Sequence, residues 1–543
     1  MPKKRWEIKN KSKTADILEI LLENRGIKTK KEKEWFLNPT HPGGLSLPSV
    51  GLSRKAMQMA VDRIAEAIKR NEKIVVYGDY DADGVCATAI LWEILDSLGA
   101  DVLPYIPDRF NDGYGLSGKS VEKLKAEVED LKLIITVDNG IVAYNGVDAA
   151  KKLGVDVIIS DHHQASGKLP SAYSIIHTTQ TSGAGVAWFF AKEISRKLKN
   201  DAQIGKLELV AIGVIADQLP LVGVNRSLVK YGLEELNTIT RLGLRKLLMV
   251  SGLLEKKIGT YEVGFMIAPR INAPGRMASG MDALRLLCTR NPKRAEDLAL
   301  TLNKLNKERQ DTVEAAVSFM EGNLPTGLES VIVMADANYH EGVIGLIAGR
   351  VVEKLNRPAI VLSMRSEIAK GSARSVPGFN IIEAIRAQSE LIIEGGGHEM
   401  AAGFSIEIKN IAEFSQKINE YATPLLGSEV LERKLMIDCE LGFSQVNQKV
   451  YNTLAQLEPY GVGNPAPVFA TRNVKIVSQR LVGKLNNHLK MVLEHDSTKV
   501  EAMMFNCPDK SDAKAASVAY RMSENTWNGN TNIELILKDI KYE

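Results

Sequence analysis

Between Lys73 and Ser160, short β-branched runs alternate with helix-like stretches: "KIVVY", "GVCATAILWEILDSLG", "DVLPYI", "GKSVEKLKAEVEDL", "LKLIITVD", "VDAAKKLG" and "VDVIIS". Few architectures accept that rhythm. Strand runs that are apolar throughout need cover on both faces, and the intervening helices supply it through right-handed crossovers, which gives a parallel sheet. In such sheets functional groups gather beyond the carboxyl ends of the strands. Those ends are where the sequence is unusual.

The first strand runs into "GDYDADG", with Asp79, Asp81 and Asp83 at alternate positions before a glycine. An EF-hand loop starts in this way, but it needs a preceding helix and a bidentate Glu at its twelfth position. Counting from Asp79 that position is Ile90, and the lead-in "KIVVY" is a strand, so the calcium loop fails twice. What remains is a strand, a tight acidic turn and a helix closed by Gly99. Taken alone, such a turn is most simply a solvated surface feature.

It does not stand alone. "LIITVDNGI" delivers Asp138, "VIISDHH" delivers Asp161, His162 and His163, and "LVAIGVIADQLPL" places Asp217 after another apolar run. Four strand-end clusters of carboxylate and imidazole make a mixed oxygen and nitrogen site that suits Mn²⁺ better than an all-oxygen calcium cage. The ligand count is enough for two ions sharing a carboxylate, the arrangement used in phosphoryl hydrolysis. Without cations, so many nearby carboxylates would repel one another strongly.

These segments resemble the motifs of the DHH phosphoesterase superfamily, named for the Asp-His-His found here at 161 to 163. The resemblance implies that Asp81 and Asp83 each ligate one ion, that Asp138 bridges, and that His162 and Asp217 complete the second ion's shell. His163 would orient the site from behind. Small-molecule members carry a histidine where this chain has Tyr77, which leaves the first ion short of a ligand and points to Asp79 or water.

"EGGGHEMAAGF" resembles the glycine-rich substrate motif of the DHHA1 domain usually paired with DHH, with Gly396 and Gly397 for close backbone approach and His398 as a phosphate donor. "YHEGVIGLIAGRVVEKLNRPAIVL", "KGSARSVPGFNI", "APRINAPGRM", "ADQLPLVGVNRSLVKYGL" and "LEPYGVGNPAPVF" resemble the RecJ-like, single-strand-specific DNA exonucleases over nearly the whole chain from Lys73. That likeness implies a 5′-phosphate pocket built from Arg276, Ser372, Arg374 and Ser375, with Arg109 contacting the strand near the scissile bond. It also implies two Mn²⁺ or Mg²⁺ ions, single-stranded DNA as substrate, a role in DNA repair and recombination, and work beside a RecQ-type helicase and a single-strand DNA-binding protein. The alternative within the superfamily is a phosphodiesterase for short oligonucleotides or cyclic dinucleotides, which usually lacks the extra barrel.

The expected fold class is α/β: a parallel-sheet DHH domain, joined by a long helix to a second, DHHA1-like α/β domain and followed by an OB-fold-like β-barrel. The boundaries expected are an N-terminal helical and loop extension at 1–48, the DHH domain at 49–255, a helical region with the long exposed connecting helix at 256–327, the DHHA1-like domain at 328–426 and the barrel at 430–543. In the C-terminal region Tyr460, Phe469, Phe505 and Trp527 read as core residues before stacking platforms. A net charge of +3 confines any nucleic-acid affinity to local patches. Four widely spaced cysteines, the lack of an apolar run after "MPKKRWEIKNKSK" and the absence of a membrane-length apolar stretch point to the cytoplasm with no membrane association, and a monomer is expected.

Overall fold

The computed structural model describes every residue except 1–3, 11–15, 110, 111, 114, 166, 200–203, 323–328, 508, 528 and 529. Its first sheet has five strands in the order Val102–Tyr105, Lys73–Tyr77, Leu131–Val137, Asp156–Asp161, Ser174–His177. Every pairing in it is parallel. Four strands lie where the alternating pattern puts them; the fifth has only "SIIH" to announce it.

The helix Ala82–Ser97 follows the acidic turn, and Gly99 takes the left-handed conformation (φ +76°) that ends it without a Cβ clash. It packs against two further helices, Gly183–Lys199 and Leu207–Ala216. Residues Leu207 to Val214 are all buried, Glu208 included through its ion pair with Arg241, so that helix is covered on every side and lies inside the domain. This corrects one expectation: the run before Asp217 is a helix and not a strand. A short continuous apolar run fits either, and only burial on all sides decides.

The 31-residue helix Pro292–Gly322 leads to a second five-stranded sheet, ordered Ile392–His398, Ala401–Glu407, Ile368–Arg374, Ala359–Ser363, Ile332–Asp336. Only its last pair is parallel. The connecting helix is less exposed than expected, because Ala295, Ala299, Leu302 and Asn306 are buried along its first half.

Strands Phe469–Val482, His488–His495, Thr498–Met504, Asn530–Tyr542 and Ala515–Trp527 follow one another around a closed barrel, the last pairing back to the first. Phe469 is core, Tyr460 is part-buried with its hydroxyl donating to Leu454 O, and Phe505 is half exposed. The Trp527 side chain lies outside the described residues.

The N-terminal segment is tied to this barrel. Arg5–Ile8 pairs in parallel with Lys434–Ile437, and Ile20, Leu21, Leu22 and Phe36 share a core cluster with Leu457, Phe469 and Tyr520. Arg226, fully buried on the helix Gly223–Asn237, fastens this assembly to the first domain. Its guanidinium donates to Phe36 O (2.5 Å), Leu457 O (3.0 Å) and Glu458 O (2.8 Å) and lies over the Phe36 ring. Leu221 N donates to Val462 O of the same loop at 2.7 Å.

Removing the Arg226 cation would leave several buried carbonyls unpaired, at about 1–3 kcal/mol each. Arg226→Met should therefore lower stability by roughly 3 kcal/mol or more, with Arg226→Lys intermediate, as read by thermal and denaturant melts of the full chain.

Candidate metal centre

Each functional side chain is delivered by a chain reversal at one edge of the first sheet. After the strand Leu131–Val137, Asp138 adopts a left-handed conformation (φ +62°) while its amide donates to Ser160 O at 2.9 Å. That reversal turns its carboxylate back over the strand ends. His162 and His163 follow the neighbouring strand, and Asp217 caps the C-terminus of the buried helix Leu207–Ala216.

Three groups of potential ligand atoms result, each with all its atoms within 4.8 Å of one another: Asp79, Asp81 and Asp138; Asp83, His162 and Asp217; Asp138, His162 and His163. Asp138 belongs to two of them. His162 Nε2 lies 3.1 Å from Asp138 Oδ1, 3.6 Å from Asp217 Oδ2 and 3.8 Å from Asp83 Oδ2.

Backbone donors hold several carboxylates in place. Asp83 accepts from Gly183 N (2.6 Å) and Ala184 N (3.0 Å) at the positive end of the helix Gly183–Lys199. Asp81 Oδ1 accepts from Asp83 N and Gly84 N, both at 3.0 Å, and so caps its own helix. Asp161 points away from the ligand groups; it accepts from Ile141 N, His162 N, His163 N and His163 Nδ1, the last at 2.8 Å.

Glycines let the elements close on these oxygens. A Cβ on Gly183 would stand 2.3 Å from Asp138 Oδ1, one on Gly213 would stand 2.1 Å from Asp83 Oδ1, and one on Gly84 would stand 2.6 Å from Asp79 Cβ. No side chain fits at any of the three.

The electrostatics follow from that crowding. Burial, and then the neighbouring Asp81, push the Asp79 carboxyl up to about 8; burial, and then Asp83 and Asp81, do the same to Asp217. Asp138 is driven well above the ordinary carboxylate range by burial and by Asp83, Asp81 and Asp79. Burial lowers His162, favouring the neutral imidazole that a metal ligand must be. His163 differs: burial opposes its charge, but the hydrogen bond to Asp161 raises it to about 9 and holds Asp161 below its usual range.

This donor set fits divalent cations. Asp138 Oδ1 is buried and, although His162 Nε2 lies 3.1 Å away, makes no hydrogen bond among the described residues, an arrangement that a cation between the two would complete. Tyr77 takes no part, since its ring lies in the apolar cluster on the far face of the sheet and its hydroxyl donates to Gly115 O at 3.1 Å. Asp79 stands in the group that Tyr77 leaves short.

A cleft of about 810 Å³ opens between the two α/β domains and brings together Arg109, Arg276, Ser372, Arg374 and Gly396. Arg276 donates to Gly342 O (3.3 Å), and burial followed by the nearby Arg109 pushes it down to about 10. Arg374 reaches Ala373 O (2.8 Å) and Ser372 Oγ (3.4 Å), and Arg109 lies over the Tyr80 ring. Among the described residues none of the three makes an ion pair with a carboxylate, so their charge is available to an anion.

Three expected residues stand apart from that cleft. Ser375 is buried and its hydroxyl donates to Phe379 O at 2.6 Å, because the strand Ile368–Arg374 ends one residue earlier and the chain turns inward. The "GGGH" run is an exposed strand of a hairpin rather than a loop; Gly396 lines the cleft, while Gly397 and His398 continue beyond it. Reading the residues had not found Tyr80, Lys370 or Asn272. Asn272 Oδ1 accepts from Ala82 N at 2.6 Å and ties the metal turn to the helix Ala268–Met277. The asparagine sits four residues before Arg276 on that helix, a spacing that could have flagged it.

Two outcomes should follow. A carboxyl whose proton is held more tightly in the folded chain stabilises it at low pH and loses that contribution as pH rises, here through about 8 for Asp79 and Asp217. In chelator the melting temperature should thus fall from pH 5 towards pH 9, while Mn²⁺ restores it; Mn²⁺ binding should release protons and weaken by roughly tenfold or more per unit below pH 8, as titration calorimetry in buffers of different ionisation heat would read. Gly213→Ala should displace the Asp83 carboxylate and cost about 10–100-fold in Mn²⁺ affinity.

Family models match three stretches: the DHH family N-terminal domain over residues 73–214, the DHHA1 domain over 328–423 and the RecJ OB domain over 437–539. The chain is 35% identical to the single-stranded-DNA-specific exonuclease RecJ of Bacillus subtilis, over 99% of this chain and 71% of the relative. It is 32% identical to that of Haemophilus influenzae, over 98% and 97% respectively. Among solved structures, RecJ from Thermus thermophilus in complex with Mn²⁺ superposes with a TM-score of 0.86 at 30% identity, covering 99% of this chain and 80% of that one. The Mg²⁺ complex of the same protein gives a TM-score of 0.80 at 29% identity, covering 99% and 78%.

Proposed function

The chain belongs to the RecJ family of single-stranded-DNA-specific exonucleases, and on that premise we propose that it is a metal-dependent enzyme that hydrolyses single-stranded DNA stepwise from the 5′ end. The observation that carries this reading is that Arg276 lines the cleft with Ser372 and Arg374 and also feels the charge of Asp81, while Gly275 beside it closes on Tyr80 of the acidic turn; we assign the terminal phosphate to those three side chains.

Asp79, Asp81 and Asp138 would hold one ion, and Asp83, His162 and Asp217 would hold a second, with Asp138 beside His162. Divalent ions bound there supply the charge neutralisation and the activated water that phosphodiester hydrolysis needs. The chain's own side chains do the rest. Asp161 fixes the His163 ring, and the His163 charge sets the potential around Asp79 and Asp217. Arg109, steadied on Tyr80, contacts the phosphate next to the scissile bond. Arg276 and Arg374 set the register, because a strand whose first phosphate fills the cleft presents the next linkage to the ligand groups.

The barrel extends the grip on the strand beyond the cleft. We place the enzyme in the cytoplasm as a monomer, working in DNA repair and recombination beside a RecQ-type helicase and a single-strand DNA-binding protein. In support, no described helix is long and apolar enough to cross a membrane, and one chain carries ligand groups, cleft and barrel together.

Asp138→Ala should reduce hydrolysis by several orders of magnitude while strand binding, followed by fluorescence anisotropy, changes by less than about threefold. The parent enzyme, given 5′- and 3′-labelled strands with Mn²⁺, should release the 5′ label first and leave blunt duplex largely intact. Equal attack on duplex, or cleavage in chelator, would contradict the reading.

A further inference from the structure

The helical segment from Thr260 to Met277 runs between the two halves of the strand-binding apparatus. At one end Thr260 Oγ1 donates to Tyr460 O, in the loop that Arg226 also grips on the way to the barrel. At the other end Asn272 holds Ala82 N, Gly275 closes on Tyr80 O, and Arg276 enters the anion cleft. Midway, its inward face seats Gly264 against Ile215, two residues before Asp217.

The outward face of that stretch carries two largely exposed aromatic rings. Tyr261 is 63% exposed and Phe265 68%, the most exposed aromatic side chains among the described residues, and their rings stack on each other with centroids 4.8 Å apart. Phe265 sits in a single π-turn, Val263–Ile267, inserted into an otherwise α-helical run. Such turns are rare and concentrate where a side chain must be presented for function. Lys256 and Lys257 are exposed just before the segment.

We propose that Tyr261 and Phe265 form a base-stacking platform for the single strand on its path between the barrel and the metal centre. This inference rests on the functional reading above. The occupant follows from the setting: the platform is bracketed by Asp217 and Asn272 on one side and by the barrel-linking loop on the other, and exposed Lys256 precedes it, with Lys257 paired to Glu458 of that loop. Every base offers a π-face to such rings whatever the sequence, which suits an enzyme that must pass any strand. From Phe265 to Asn272 the helix rises about 10 Å, so the stacked base lies a few nucleotides from the bond to be cut.

The test compares the parent chain with Tyr261→Ala/Phe265→Ala and with the ring-preserving pair Tyr261→Phe/Phe265→Tyr. With a strand of about 30 nucleotides, the alanine pair should raise KM about tenfold or more while kcat changes by less than about twofold; the ring-preserving pair should stay near the parent. Binding is read separately in the Asp138→Ala background, with 2-aminopurine moved one position at a time from the 5′ end: quenching should appear at one or two adjacent positions and vanish with the alanine pair. Unchanged KM and quenching would overturn the platform and leave the rings as a protein-docking surface. Equal loss of kcat on a dinucleotide, too short to reach both sites, would also overturn it as helix damage. Failure of the parent to degrade strands from the 5′ end would instead refute the functional reading, and the binding arm would still report on the platform.

Discussion

Like charges brought together away from water are the constraint on which the rest of this structure depends. Asp79, Asp83 and Asp138 are buried at one sheet edge, with part-buried Asp81 and exposed, helix-capping Asp217 beside them, and the nearby imidazoles do little to neutralise them: His162 is pushed towards its uncharged form, and His163, held cationic, is committed to Asp161. Backbone amides at the start of a helix offset part of the repulsion on Asp83, but Asp138 Oδ1 has no hydrogen-bond partner among the described residues. Divalent cations are the natural complement of such a site. The fold supplies rigidity to match, with glycines at 84, 183 and 213 allowing neighbouring elements to approach closer than any side chain permits.

A second design feature is the separation of chemistry from grip. Arg276 and Arg374 line a cleft shared by the two α/β domains, so the two guanidinium groups come together only when both domains are in place. The barrel and the N-terminal segment form one body, fastened to the catalytic domain by Arg226 and by the backbone bond from Leu221 to Val462. Leu221 lies four residues after Asp217, so the strand-binding barrel docks beside a candidate ligand.

Much of this was legible from residue order alone. The alternation from Lys73 to Ser160 required a parallel sheet, and the acidic strand ends required cations, since each reading rests on local periodicity and short-range charge. The likeness carried by "GSARS" and "NAPGR" led to Arg276, Ser372 and Arg374, all of which line the cleft. The readings that failed depended on surroundings. "LVAIGV" fits strand or helix equally until burial on every side is known. The likeness put Ser375 in the pocket beside Arg374, yet its side chain turns inward and donates to Phe379 O. The likeness gave Gly396, Gly397 and His398 as one substrate motif, whereas pairing with Ala401–Glu407 holds the run extended and only Gly396 lines the cleft.

Residue order by itself determined the class of fold, the ligand chemistry and the family, because hydrophobic period, donor type and motif spacing are properties of contiguous residues. Tertiary structure alone decided which aspartates come within reach of one another, why Tyr77 is no substitute for a histidine, that the first residues belong to the last domain, and that Arg226 joins three segments far apart in the chain. Those outcomes depend on contacts between residues separated by tens to hundreds of positions, such as Phe36 with Arg226 and Arg226 with Glu458. No local pattern encodes such contacts, because they exist only once the buried surfaces have met.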